Sequence, residues 1–314
     1  MAGISGDERK WLKRLVGESV VFDEPMSRHT SFKVGGPADA LAAPENEEIL
    51  VELVRGLGQR GCPYMVVGGG TNLLVKDSGI RKVVIVLKKA AREIEFDSER
   101  CTIEAGAGAG LNALCGFALK NGLAGMNFAL GIPGSVGGAI AMNAGTAIGA
   151  VEDILSKVKV LFPDGRKSTA RRETLDFSYR KLVWQKGPEK EDEVAPIILR
   201  GVFSLKPDDP EKLKKRAAEI VRRRKERQPS WQPSAGCFFK NPPGSKPAGM
   251  LIELAGLKGK RVGGAEISSR HANFIVNKKN ASAADIICLK EMVQETIKTK
   301  FDIDLEPEVK IVGE

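Results

Sequence analysis

The chain has 314 residues, 42% of them hydrophobic, a length and apolar content that suit a globular protein of two or three lobes. It carries a formal charge of +9, but aromatic residues are only 5% and never interleave with basic ones, which favours small phosphorylated ligands over nucleic acid. Five scattered cysteines without a C-x-x-C pair, and two histidines, fit neither a disulfide framework nor a metal centre.

The first residues, MAGISGDERKWLKRL, are charged and lack the apolar core of a signal peptide; residues 8–17 predict a short amphipathic helix. Ile49, Leu50, Leu53 and Leu57 predict a helix over about 46–61 that ends at glycine. Tyr64–Val67 predicts a strand running into Gly68–Gly70, with further strands at Val83–Leu87, Ile94–Phe96 and Thr102–Glu104. Leu111–Lys120 predicts a helix closed by Asn121-Gly122, and Lys157–Phe162 with Lys167–Ala170 a hairpin around Pro163-Asp164-Gly165. A polar connector at 185–193 precedes a strand at Ile197–Leu205.

A helix from Pro210 to Arg227 sets Leu213, Ala217, Ile220 and Val221 on one face; its other, basic face reads as solvated. Residues 229–244 form a Pro- and Gly-rich aromatic loop with a functional look. Ser282-x-x-Asp285 is a capping box opening a helix to about Lys300, and Leu305–Val312 alternates as a final strand. Strands and helices mix without a βαβ rhythm, which gives an α+β class. No apolar run reaches membrane-spanning length, so the expectation is a cytoplasmic protein with no membrane contact.

The glycine clusters invite a nucleotide motif. No glycine precedes Lys-Ser/Thr in a P-loop frame, and the one G-x-G-x-x-G, at Gly56–Gly61, closes a helix where the fingerprint must open one. The cluster at Gly106–Gly110 follows a strand, but Leu111 stands where the last glycine belongs. Gly68-Gly69-Gly70-Thr71-Asn72 after a strand can still converge backbone N–H groups on an anion, and Gly131–Gly145 permits close backbone approach to a large flat ligand. Together they suggest a dinucleotide held outside the Rossmann class.

Seven segments then occur in register: His29-Thr-Ser-Phe-Lys-Val-Gly-Gly-Pro37, Val67-Gly-Gly-Gly-Thr-Asn-Leu-Leu74, Gly131-Ile-Pro-Gly-Ser-Val-Gly-Gly138, Phe177-Ser-Tyr-Arg180, Pro233-Ser-Ala-Gly-Cys-Phe-Phe-Lys-Asn-Pro242, His271-Ala-Asn-Phe274 and Leu305-Glu-Pro-Glu-Val309. With them the sequence resembles the UDP-N-acetylenolpyruvoylglucosamine reductases, in their shorter, second class. The resemblance implies a vanillyl-alcohol-oxidase/PCMH-type FAD-binding fold in two lobes plus a C-terminal α+β substrate-binding lobe. The expected division is a lead-in helix (1–24), an FAD-binding domain (25–198), a substrate-binding domain (199–300) and a C-terminal strand (301–314) returning the catalytic Glu to the flavin.

It implies non-covalent FAD, contacted by Gly68, Gly69, Gly70, Thr71, Asn72, Gly131, Ile132, Pro133, Gly134, Ser135, Gly138 and Gly145. NADPH and UDP-N-acetylglucosamine enolpyruvate are the implied substrates, with no metal and no obligate protein partner. Arg180 matches the arginine at the substrate carboxylate, Cys237 the proton donor that many members fill with serine, and Glu308 the catalytic glutamate. Tyr179, Lys240 and Asn241 are expected to line the substrate. A thiol, with an ordinary pKa of about 8.5, gives up a proton more readily than an alcohol, and Phe238 and Phe239 would keep it protonated. Strand spacing puts Glu306 and Glu308 on one side and cannot choose between them; the family motif selects Glu308. The alternatives, another flavin oxidoreductase of this fold or a non-catalytic homologue, leave the C-terminal motifs or the retained trio unexplained.

Overall fold

The computed structural model describes residues 3–184, 195–229 and 231–314. The connector expected at 185–193 lies outside them.

Helix α1 (Gly6–Val16) opens on a Ser5–Glu8 capping box, and α2 (Glu47–Gln59) on Asn46, whose side chain accepts from Ile49 N at 2.9 Å. Both turn apolar stripes, including Leu12, Leu50, Leu53 and Leu57, onto Val83 and Ile85 of a four-stranded sheet. Its order is Val20–Pro25, Pro37–Ala42, Ile80–Val86, Tyr64–Val67, antiparallel for the first pair and parallel for the others. The segment before residue 25 therefore supplies an edge strand of this sheet as well as a helix.

A second sheet, antiparallel throughout, runs Lys167–Arg171, Leu155–Leu161, Ile197–Ser204, Thr102–Gly106, Ile94–Asp97. Between the sheets run α3 (Leu111–Lys120) and the short α4 (Val136–Ala141). No helix was expected in the glycine-rich stretch that forms α4, since glycine is a poor helix former. Packing wins: a Cβ on Gly137 would stand 2.7 Å from that of Ala107, so only a bare backbone lets α4 lie this close to the second sheet. Next, α5 (Pro210–Arg227) begins with Asp209 capping Glu211 N and Lys212 N, buries Leu213 and Ala217, and packs on α3.

The C-terminal unit joins α6 (Ala248–Leu254) and α7 (Ala283–Phe301) to a three-stranded antiparallel sheet, Arg261–Val262, Ala265–Ile267, Ile275–Asn277. Ile286, Leu289, Val293 and Ile297 of α7 share a core with Phe32 and Leu74 from the N-terminal part, so the lobes are stitched by burial. The predicted capping box forms, and the Asp77 carboxylate takes the N–H groups of Ala283 and Ala284 at 2.8 and 3.0 Å. Among the described residues no helix is long and apolar enough to cross a membrane.

The expected strand Leu305–Val312 is a correction. Only Lys310–Val312 is a strand, parallel to Leu73–Val75, and the residues before it touch the sheet network at a single Phe239–Pro307 bridge. Pro307 has no N–H to give a ladder, so period-2 alternation ends there.

Candidate active site

A cavity of about 910 Å³ opens between the two N-terminal sheets. One wall comes from Tyr64, Gly68, Gly69 and Thr71, the other from Ala107–Gly110 with Gly134, Ser135, Gly137 and Gly138. The N–H groups of Gly69, Gly70 and Thr71 donate to no backbone carbonyl among the described residues, which leaves them for an anion. A Cβ on Gly68 would sit 2.3 Å from Ser135 Oγ, so the two glycine loops meet only because that position is bare. The buried Tyr64 hydroxyl has no partner, as expected of a wall built for a polar ligand. Size, bare backbone and free donors fit FAD.

The expected flavin contacts divide. Gly68, Gly69, Thr71, Gly134, Ser135 and Gly138 line the cavity. Among the described lining residues Gly70, Asn72, Gly131, Ile132, Pro133 and Gly145 are missing; several of them hold the walls. Gly70 lies against the His29 carbonyl, Pro133 O accepts from Thr71 Oγ1 at 3.2 Å, and Gly145 O accepts from Arg180. Sequence reasoning set aside Ala107–Gly110 after testing it only against the Rossmann frame. It also passed over Lys82, Lys88 and Arg92, which bring positive charge to the rim.

Beside the cavity, Tyr179 and Arg180 form the tip of the hairpin Leu175–Ser178/Lys181–Trp184. Arg180 Nη1 donates to Gly145 O at 2.9 Å, and its Nε lies 2.8 Å from Glu308 Oε1. The second approach is an ion contact: the buried Nε–H is not aimed at the carboxylate and makes no hydrogen bond. Glu308 N donates to Phe238 O at 2.8 Å, and Asn72 Nδ2 to the Glu308 carbonyl at 3.0 Å. Burial raises the Glu308 carboxyl above its ordinary range, against the pull of Arg180 and Lys240.

Cys237 stands next to Phe238 on a loop clamped by Asn273. Phe238 N donates to Asn273 O at 2.7 Å, Phe239 N to Asn273 Oδ1 at 2.9 Å, and Asn273 Nδ2 to Phe239 O at 2.8 Å. Ser31 Oγ ties the same loop through Ser234 O at 2.6 Å. The motifs around His29 and His271 thus serve to fix the cysteine loop. The thiol keeps some accessible surface although atoms crowd it on almost every side; accessibility governs what reaches it, crowding governs its charge. Burial pushes it up to about 12, Glu308 adding to the rise while Arg180 and Arg224 oppose it.

Glu306 and Glu308 do not share a face: Glu306 is 69% exposed and pairs with Lys240, whereas Glu308 is 15% exposed and meets Arg180. Asn241 Oδ1 accepts from Ala248 N at 3.0 Å, a bond that starts α6, and Tyr179 is exposed, its ring 5.1 Å from the Arg180 guanidinium carbon. A separate depression of about 450 Å³ is lined by Glu47, Glu104, Lys159, Lys167 and Arg200, whose charges pair with one another.

Comparison with known proteins gives two family matches, an FAD binding domain over residues 38–170 and the C-terminal domain of UDP-N-acetylenolpyruvoylglucosamine reductase over residues 228–312. The chain is 49% identical over 313 residues to the UDP-N-acetylenolpyruvoylglucosamine reductase of Desulfosudis oleivorans, covering 98% of each. It is 46% identical to that of Heliobacterium modesticaldum, over 93% of this chain and 90% of the relative. The crystal structure of the Thermus caldophilus UDP-N-acetylenolpyruvylglucosamine reductase matches with a TM-score of 0.76 and 39% identity, over 94% of this chain and 98% of that one.

Proposed function

The chain belongs to the UDP-N-acetylenolpyruvoylglucosamine reductase family, and from that premise we propose that it reduces UDP-N-acetylglucosamine enolpyruvate to UDP-N-acetylmuramate with NADPH, in peptidoglycan precursor synthesis. The observation that carries the reading is the contact of Arg180 with Glu308 beside the Cys237 loop, next to a cavity suited to FAD.

Gly68, Gly69, Thr71, Gly134, Ser135 and Gly138 would hold FAD, whose chemistry when bound is hydride exchange between NADPH and the enolpyruvyl methylene carbon. Hydride arriving there drives negative charge onto the adjacent carbon and its carboxylate. Arg180, with a fixed charge and a planar fork, stabilises that enediolate. Cys237 holds the proton destined for the carbon; burial keeps its thiol protonated until the charge develops. Glu308, biased toward its protonated form by burial, fixes Arg180 and faces the same charge. Lys240, bridged to Glu306, and Tyr179 stand at the substrate edge. All five cysteines are free thiols, which suits a reducing cytoplasm.

The test is direct. Protein loaded with FAD should be yellow and should oxidise NADPH only when the enolpyruvyl sugar nucleotide is present. A protein that takes up no FAD, or leaves NADPH untouched with that substrate, contradicts the proposal.

A further inference from the structure

Three consecutive arginines end α5, and they do not behave alike. Arg222 and Arg223 pair with Glu226 and Glu219 on the exposed side of the helix. Arg224 turns inward. Its Nε is buried without a hydrogen-bond partner, its Nη2 reaches only Gln228 Oε1 at 3.4 Å, and no ion pair engages it among the described residues. A Cβ on Gly131 would stand 3.2 Å from Arg224 Nε and 3.3 Å from its Cδ, so the side chain lies directly on the glycine turn that borders the flavin cavity. An enclosed guanidinium without an anion is costly, and a fold retains one where an anion forms or arrives.

The chemistry already assigned creates such an anion. When Cys237 protonates the enediolate, the S–H bond breaks, a C–H bond forms from the enediolate's electron pair, and sulfur keeps the S–H pair as a thiolate. Solvent later returns the proton. Glu308 faces this thiolate and disfavours it, and Arg180 is already committed to Glu308 and to the Gly145 carbonyl. We propose that Arg224 is the counter-charge for the Cys237 thiolate, a positioning residue that acts through the sulfur and makes proton delivery reversible within a buried site. The inference rests on the donor role given to Cys237 above. The two groups sense each other: Arg224 opposes the rise of the thiol's pKa, and the thiol in turn offsets the lowering that burial imposes on Arg224. Among the groups acting on Cys237, Arg180, Glu308 and Arg224 are all accounted for.

The full-length protein tests this without turnover. Only the thiolate reacts with iodoacetamide, so the labelling rate of Cys237, mapped by peptide mass spectrometry between about pH 7 and pH 10, reports its ionisation. Removing a nearby unit charge raises a thiol pKa by about one unit or more; after allowing for the greater nucleophilicity of a more basic sulfur, Arg224→Met should label roughly threefold or more slowly. Arg224→Lys, which keeps the charge, should stay within about twofold of the unmodified protein. Equal or faster labelling in Arg224→Met, with FAD uptake retained, overturns the proposal. Where Arg224→Met does not fold, Arg224→Lys decides, and a slowing in that variant of more than about threefold overturns it. Failure of the reductase reading shows separately, as absent NADPH oxidation by the unmodified protein.

Discussion

Arg180 sits at its hairpin tip with φ +61°, a left-handed conformation that a residue with a Cβ adopts at a cost. The contacts with Glu308 and Gly145 hold it there, which ties local strain to the site it serves. Arg180→Lys keeps the charge but loses the fork; kcat/KM for the enolpyruvyl substrate should fall roughly tenfold to a hundredfold, with flavin uptake unchanged. Steady-state kinetics beside a flavin titration read both quantities, and an unaltered kcat/KM would remove Arg180 from the carboxylate. None of this geometry was legible from spacing. Arg180, Cys237 and Glu308 came from the family motifs, because a hairpin tip, a loop and a C-terminal segment meet only through tertiary packing. Arg224 was hidden for a related reason: neighbouring arginines on a basic helix look alike until one is seen to face inward.

Elements announced by caps and periodicity were legible. The strand Tyr64–Val67 and the helices α3 and α5 fall where the sequence puts them, and α7 begins at its capping box. Elements decided by contact were not. Bare glycines make α4 possible only against Ala107, and Pro307 ends an alternation that otherwise reads as strand. One cap comes from another lobe: Asp77, next to the first sheet's loops, accepts the first two N–H groups of α7. Asp77→Ala leaves these to water and removes a negative charge from the positive end of the helix; it should destabilise the fold by about 1–2 kcal/mol, read as a lower urea midpoint at constant m-value. An unchanged midpoint would mean that buried contacts such as Phe32 and Leu74 alone join the lobes.

Across the molecule, two sheets enclose the cavity, and the C-terminal unit brings the Cys237 loop and Glu308 to its edge through Asn72 and Arg180. The α+β class was legible from element order, and flavin binding from glycine clusters that fail every Rossmann and P-loop test. The shape of the cavity was not, since half its wall comes from Ala107–Gly110, a segment distant in sequence from both motifs. Separating the half-reactions tests the whole arrangement most directly. With Cys237→Ala, NADPH should bleach the flavin's visible absorbance at close to the normal rate. On adding the enolpyruvyl sugar nucleotide without oxygen, colour should return at least about a hundredfold more slowly than in the unmodified protein. Return of colour at the unmodified rate would show that the proton comes from elsewhere, and would contradict the account.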